Sequence, residues 1–200
     1  MAFPTISGLT LRLESDLGIT KDGSNRVSQW ADQAGVYGNY TQGTDALKPV
    51  HTANQFGTKS GLLFDGSDDF MANAAAVSGA ISASAFEMFV VSRINSSVAA
   101  ARGIWSTDNG TLGNNVYFGA TTNNQLYFAN KPSGVQVVVS MASGNILKKA
   151  YLHHARHGAS QITFMDGYAK SKETTAVSDG GDTSATALAY GTYLGRVSTN

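Results

Sequence analysis

Phe86-Glu87-Met88-Phe89-Val90-Val91-Ser92-Arg93 is the stretch that decides the fold class. It is rich in β-branched and aromatic residues, alternates in part, and carries no 3.6-residue period. Similar short runs lie on both sides of it. Upstream are Leu9-Thr10-Leu11-Arg12-Leu13-Glu14, a period of two with its leucines to one face, then Val27-Ser28-Gln29-Trp30 and Gly61-Leu62-Leu63-Phe64. Downstream follow Ile104-Trp105, Val116-Tyr117-Phe118, Leu126-Tyr127-Phe128, residues 135–139, 150–157 and 161–165, and Thr192-Tyr193-Leu194-Gly195. Turn chemistry separates them, as in Asp22-Gly23-Ser24-Asn25 and Asp108-Asn109-Gly110. Roughly a dozen short strands at spacings of ~8–15 residues predict an all-β chain, an antiparallel β-sandwich or jelly roll. Only the Ala-rich residues 72–85 read as a short helix, and Gly79 limits it to a turn or two.

The composition agrees. Two hundred residues suit one domain, residues 1–200, with no linker or internal repeat. Charged residues make up 14% against 42% hydrophobic, so disorder is a poor reading. Fourteen basic residues balance fourteen acidic ones, which argues against a nucleic-acid partner. Cysteine is absent, which excludes disulfides and thiolate metal sites. No apolar run approaches the ~18 residues of a membrane-crossing helix, so membrane insertion is not expected. Met1-Ala2-Phe3-Pro4-Thr5 lacks the basic start and apolar run of a secretory signal, which predicts synthesis in a cytosol.

Several ordered segments resemble the concanavalin A-like (laminin G-like) superfamily, in the version found in bacteriophage and bacterial surface proteins. The residues that carry the resemblance are Leu9-Thr10-Leu11-Arg12-Leu13, Val27-Ser28-Gln29-Trp30-Ala31-Asp32-Gln33 and Phe64-Asp65-Gly66-Ser67-Asp68-Asp69-Phe70. Tyr151-Leu152-His153-His154 with Phe164-Met165-Asp166-Gly167, and the closing Tyr193-Leu194-Gly195-Arg196, complete the order. The resemblance implies a lectin-like jelly roll spanning about residues 9–196. Family members continue past the Gly-Arg with a strand lying beside the first one. Its apparent lack here implies either a longer chain or a neighbour's strand along residues 9–14.

Chemistry is sparse. Laminarinase-type glycosidases on this fold carry two carboxylates across the scissile bond. Glu87 and Glu173 have no acidic partner in such an array, so a glycoside hydrolase is disfavoured and no enzyme is expected. No Gly-x-Ser-x-Gly elbow occurs either. His153, His154 and His157 alternate on a strand, so at most two share a face, and ordinary strand positions explain them better than a metal. No cofactor is expected, apart from Ca²⁺ at the hard oxygen cluster Asp65, Asp68 and Asp69, to which a loop with Asp32 and Gln33 would contribute. The same Asp-Gly-Ser-Asp is also an ordinary turn. For glycan binding, rings stack on sugar faces while amides bond hydroxyls. Tyr37, Asn39, Tyr40, Asn114 and Tyr117 have that chemistry, as do Trp105 and Asn115, although Trp30 and Trp105 fit a core better.

Two functions from different classes follow. One is a non-catalytic virion surface protein of a phage-like particle, a capsid decoration or tail-associated subunit, released by lysis and contacting other virion proteins or itself. The other is a carbohydrate-binding or receptor-binding lectin module that meets surface glycans. The expected location is the virion surface, with an extracellular protein as the alternative.

Overall fold

A computed structural model describes residues 6–73, 86–96, 102–108, 115–120, 126–131, 137–140, 150–157, 161–166, 175–178 and 191–195. Among them the chain is all-β and antiparallel throughout, with one turn of 3-10 helix at Asp45–Leu47. The first strands are β1 (Ile19–Lys21), β2 (Val27–Trp30), β3 (Tyr40–Thr41), β4 (Val50–Phe56), β5 (Lys59–Leu63), β6 (Met71–Asn73) and β7 (Phe86–Arg93). There follow β8 (Arg102–Asp108), β9 (Asn115–Ala120), β10 (Leu126–Lys131) and β11 (Val137–Ser140). The last are β12 (Ala150–His157), β13 (Gln161–Asp166), β14 (Thr175–Ser178) and β15 (Gly191–Leu194).

Nine strands form one sheet in the order β1-β2-β3-β6-β15-β8-β9-β10-β11. Four more form a sheet β14-β13-β12-β7, and β4 and β5 make a hairpin of their own. The large sheet is drawn together by an apolar row that its register lines up. Met71 pairs with Leu194, Leu194 with Trp105, and Trp105 with Phe118. Directly opposed residues share a face, so one face of four strands becomes a continuous apolar surface. Met71, Trp105 and Phe118 are buried there. Beside them Tyr40 and Val27 complete the core, with Leu11, Leu13, Ile19, Trp30, Leu62 and Phe64 packed on its rim.

Residues 9–14 depart from the expected first strand. Leu11 and Leu13 do turn inward onto the core, as their period of two requires. Among the described residues no strand pairs with them, and at Arg12 the backbone bonds to the 32–33 segment instead. The Arg12 N–H donates to the Asp32 carboxylate at 3.0 Å, and the Arg12 carbonyl accepts from the Gln33 N–H at 2.8 Å. Trp30 Nε1 donates to the Glu14 carbonyl at 2.8 Å. The expected helix at 72–85 also fails where it is described: Ala72 and Asn73 end β6, and the remainder lies outside the described residues.

Candidate functional site: the Asp32 loop and the Asp65 turn

Two loops flank the β3–β6 pair. The loop over residues 32–39 runs into the start of β3 and touches the end of β6. The turn over residues 65–70 runs into the start of β6. They therefore lie at opposite ends of the same strands, and the two sets of residues singled out in the sequence do not form one site.

The first loop is built around one buried carboxylate. Asp32 Oδ1 accepts from the backbone N–H of Arg12 and of Ala34, and Oδ2 from those of Val36 and Tyr37, at 2.9–3.0 Å. Burial raises the pKa of this carboxyl, but the four N–H donors outweigh it and hold the group below the usual carboxylate range. Asn39 Oδ1 accepts from the Asp32 N–H at 3.2 Å, and Asn73 Nδ2 donates to the carbonyls of Tyr37 at 2.9 Å and Gly38 at 3.1 Å. The loop backbone is thus fixed from both ends. Its outer surface presents Val36, 58% exposed, with half-buried Tyr37 beside it.

Of the predicted ligand residues, Tyr37 and Asn39 stand together in this loop. Tyr40 is corrected: it is 1% exposed, and its hydroxyl accepts from Trp105 Nε1 at 3.2 Å, so it belongs to the core. A ring in that position has no face left for a sugar. Tyr117 stands opposite Ser106 in the ladder, on β9, with three strands between it and β3. Asn114 lies outside the described residues. The role of Asp32 as organiser of the loop escaped the sequence reading, although an Asp before Gln-Ala-Gly is the signal for a side chain that caps its own turn.

The second loop brings Asp65, Asp68 and Asp69 together, with one carboxylate oxygen from each within 4.8 Å of the others. Three such oxygens are hard ligands of the kind a divalent cation takes. The turn itself already uses the carboxylates of Asp65 and Asp69. Asp65 Oδ1 accepts from the N–H groups of Ser67, Asp68 and Asp69, and Asp69 Oδ2 accepts from the Asp65 N–H. Burial, with the neighbouring charges of Asp65 and Asp68, raises the pKa of Asp69 against the pull of that N–H bond. On β12 the ladder pairs His153 with Val90 and His154 with Phe89.

No protein-family model matches the chain, and no curated protein does. Among solved structures it is similar to the enzymatically active domain of bacteriophage CBA120 tailspike protein 2. The TM-score is 0.49 and the identity 14%, over 73% of this chain and 24% of that one. The chain therefore spans about a quarter of the length of that protein. The expectation that the chain is no enzyme is corrected by this finding, because the structure it resembles is described as enzymatically active. A missing carboxylate pair in the sequence had been the ground for that expectation. Pairs of acids that act together are commonly far apart in sequence, so local spacing alone does not exclude them. No helix among the described residues is long and apolar enough to cross a membrane.

Proposed function

We propose that the chain is a recognition protein of a phage-like virion surface, tail-associated, which binds surface carbohydrate through the loop over residues 32–39. Its fold in this reading is the concanavalin A-like pair of facing antiparallel sheets, supported by the ordered motifs from Leu9 to Gly195. The observation that carries the function is the fixed loop. One carboxylate with four backbone partners, Asn39 and Asn73 lock its conformation, while Val36 and Tyr37 face outward. A loop ordered before it meets its ligand loses little conformational entropy on binding. An aromatic edge beside amides and backbone carbonyls is the surface chemistry that holds a sugar ring.

The test is an array of bacterial surface polysaccharides, with mass spectrometry of purified particles alongside. Binding is expected, with a loss of about tenfold or more on Tyr37→Ala, equivalent to ~1.4 kcal/mol, and an unchanged melting temperature. Reducing-end release in the same incubations reports turnover. Absence of binding to every polysaccharide, or equal binding by the Tyr37→Ala protein, would end the reading.

A further inference from the structure

The loop over residues 32–39 carries a side-chain amide near each end, and both grip the same peptide unit. A trans peptide is planar, so the N–H and C=O of the Ala31–Asp32 unit point in opposite directions. Asn39 Oδ1 accepts from that N–H at 3.2 Å, and Gln33 Nε2 donates to that C=O at 3.0 Å. The partners decide which end of each amide is used, since an N–H needs an oxygen and a carbonyl needs an N–H. Asn39 is left with its NH2 group and Gln33 with its carbonyl oxygen. Both residues are exposed, and neither Asn39 Nδ2 nor Gln33 Oε1 has a hydrogen-bond partner among the described residues.

Both amides are held in place. A Cβ at Gly18 would stand 2.5 Å from Gln33 Nε2 and 2.7 Å from Ala31 Cβ, so the missing side chain at 18 makes the room that the Gln33 amide fills. Asn39 is anchored by its neighbour Tyr40, which is buried in the core.

We propose that the two amides clamp the acetamido group of an N-acetylated hexosamine, an inference that rests on reading this loop as the carbohydrate site. An acetamido group is itself a planar secondary amide, with the same opposed donor and acceptor as the peptide the pair already brackets. Its carbonyl accepts from Asn39 Nδ2, and its N–H donates to Gln33 Oε1. Across one such amide two partners stand about 8 Å apart, the scale on which peptide 31–32 separates these side chains. A single hydroxyl, whose donor and acceptor share one oxygen, joins partners only about 5.5 Å apart.

The surroundings favour the acetyl methyl and no charge. Val36, 58% exposed, and Tyr37 both donate their N–H groups to the Asp32 carboxylate, which puts apolar surface beside the clamp. A sugar hydroxyl against Val36 would lose water and gain no partner, whereas a methyl gains contact. From Gln33 to Asn39 the loop has no charged side chain. Arg12, whose backbone N–H reaches Asp32, is paired through its guanidinium with Glu14. A uronate, sialate or phosphate group would meet no cation in this loop.

The test takes whichever polysaccharide the array returns and offers it to the full-length protein in three forms: native, chemically de-N-acetylated, and re-N-acetylated. De-N-acetylation is expected to weaken binding about tenfold or more, because a site built for an amide leaves its own amides unpaired without one. Re-N-acetylation is expected to restore it. Free N-acetylglucosamine, N-acetylgalactosamine or N-acetylmannosamine is expected to compete at millimolar concentration where the parent hexoses do not. Asn39→Asp keeps an oxygen for the Asp32 N–H but replaces the outward donor by an acceptor. It is expected to weaken binding about tenfold and to remove the preference for the native form. Gln33→Ala, at an exposed position, is expected to weaken it ~5-fold. Melting temperatures identify any variant that fails to fold. A polysaccharide bound equally well after de-N-acetylation, or one free of N-acetyl sugars, overturns the proposal and leaves the loop a carbohydrate site. Folded variants that keep full affinity overturn it too. Competition by N-acetylglycine N-methylamide as strong as that of the sugars would assign the clamp to a peptide and likewise overturn it. Absence of binding to every polysaccharide ends this proposal together with the reading beneath it.

Discussion

Asp32, Asp69 and Gly195 are three residues whose neighbourhoods make opposite demands. Asp32 is buried and needed charged, since four N–H groups converge on its carboxylate. Asp32→Ala leaves those donors without a partner and is expected to cost on the order of 3 kcal/mol, about 10 °C in melting temperature. Its folded pKa is lowered, so its stabilisation is full above the unfolded carboxylate value and disappears as pH falls through the folded one. Below about pH 4 the melting curves of wild type and Asp32→Ala should converge. Asp69 has the reverse sign. Burial and its acidic neighbours raise its folded pKa, so it favours the folded state at low pH and opposes it as pH rises through that pKa. Asp69→Asn keeps an acceptor for the Asp65 N–H and is expected to raise the melting temperature at pH 7, a gain that fades in acid. Gly195 has φ +82°, and an added Cβ would sit 2.7 Å from Phe64 Cε1 and 2.9 Å from the Asp69 carbonyl. Gly195→Ala is thus both strained and crowded, and thermal melts should show a loss of roughly 2–4 kcal/mol. Phe64 and Gly195 belong to two motifs 131 positions apart that meet in the fold.

Among the elements, β7 and β12 have the boundaries read from the sequence, and both are eight residues long. β4, Val-His-Thr-Ala-Asn-Gln-Phe, carries polar side chains at His51, Thr52, Asn54 and Gln55 without a strict alternation and was missed. It forms because the turn at Gly57 folds β5 back upon it, a reason that lies outside its own composition. Residues 9–14 show the converse. Their alternation correctly named the inward leucines, but a period of two specifies a face and not a partner strand. What holds this segment is Asp32 at one point and Trp30 at another. Trp30→Phe removes the bond to the Glu14 carbonyl at a cost of about 1 kcal/mol. Hydrogen exchange should then quicken at the Arg12 amide by ~5-fold while the Trp105 amide in the large sheet keeps its rate.

For the whole molecule the decisive feature is the place of β15. This strand, from residues near 190, sits between β6 and β8, which come from residues near 70 and 105. The sheet's middle therefore closes only through contacts far apart in sequence, which makes folding slow and cooperative. Removing residues 191–200 is expected to abolish the cooperative thermal transition, since β6 and β8 lose the strand that joins them and Met71 and Trp105 lose the Leu194 between them. Circular dichroism during heating checks this. By itself the sequence determined the all-β class, the sides of the leucines and the acidic turn at Asp65, because side-chain alternation and turn chemistry are local. Only the tertiary structure decided that Tyr40 is core, that Asp32 organises the 32–39 loop, and that the Asp65 turn lies at the far end of the strands from it. Those outcomes depend on which strand lies beside which, and pairing over such distances is chosen by the burial of the whole apolar row at once.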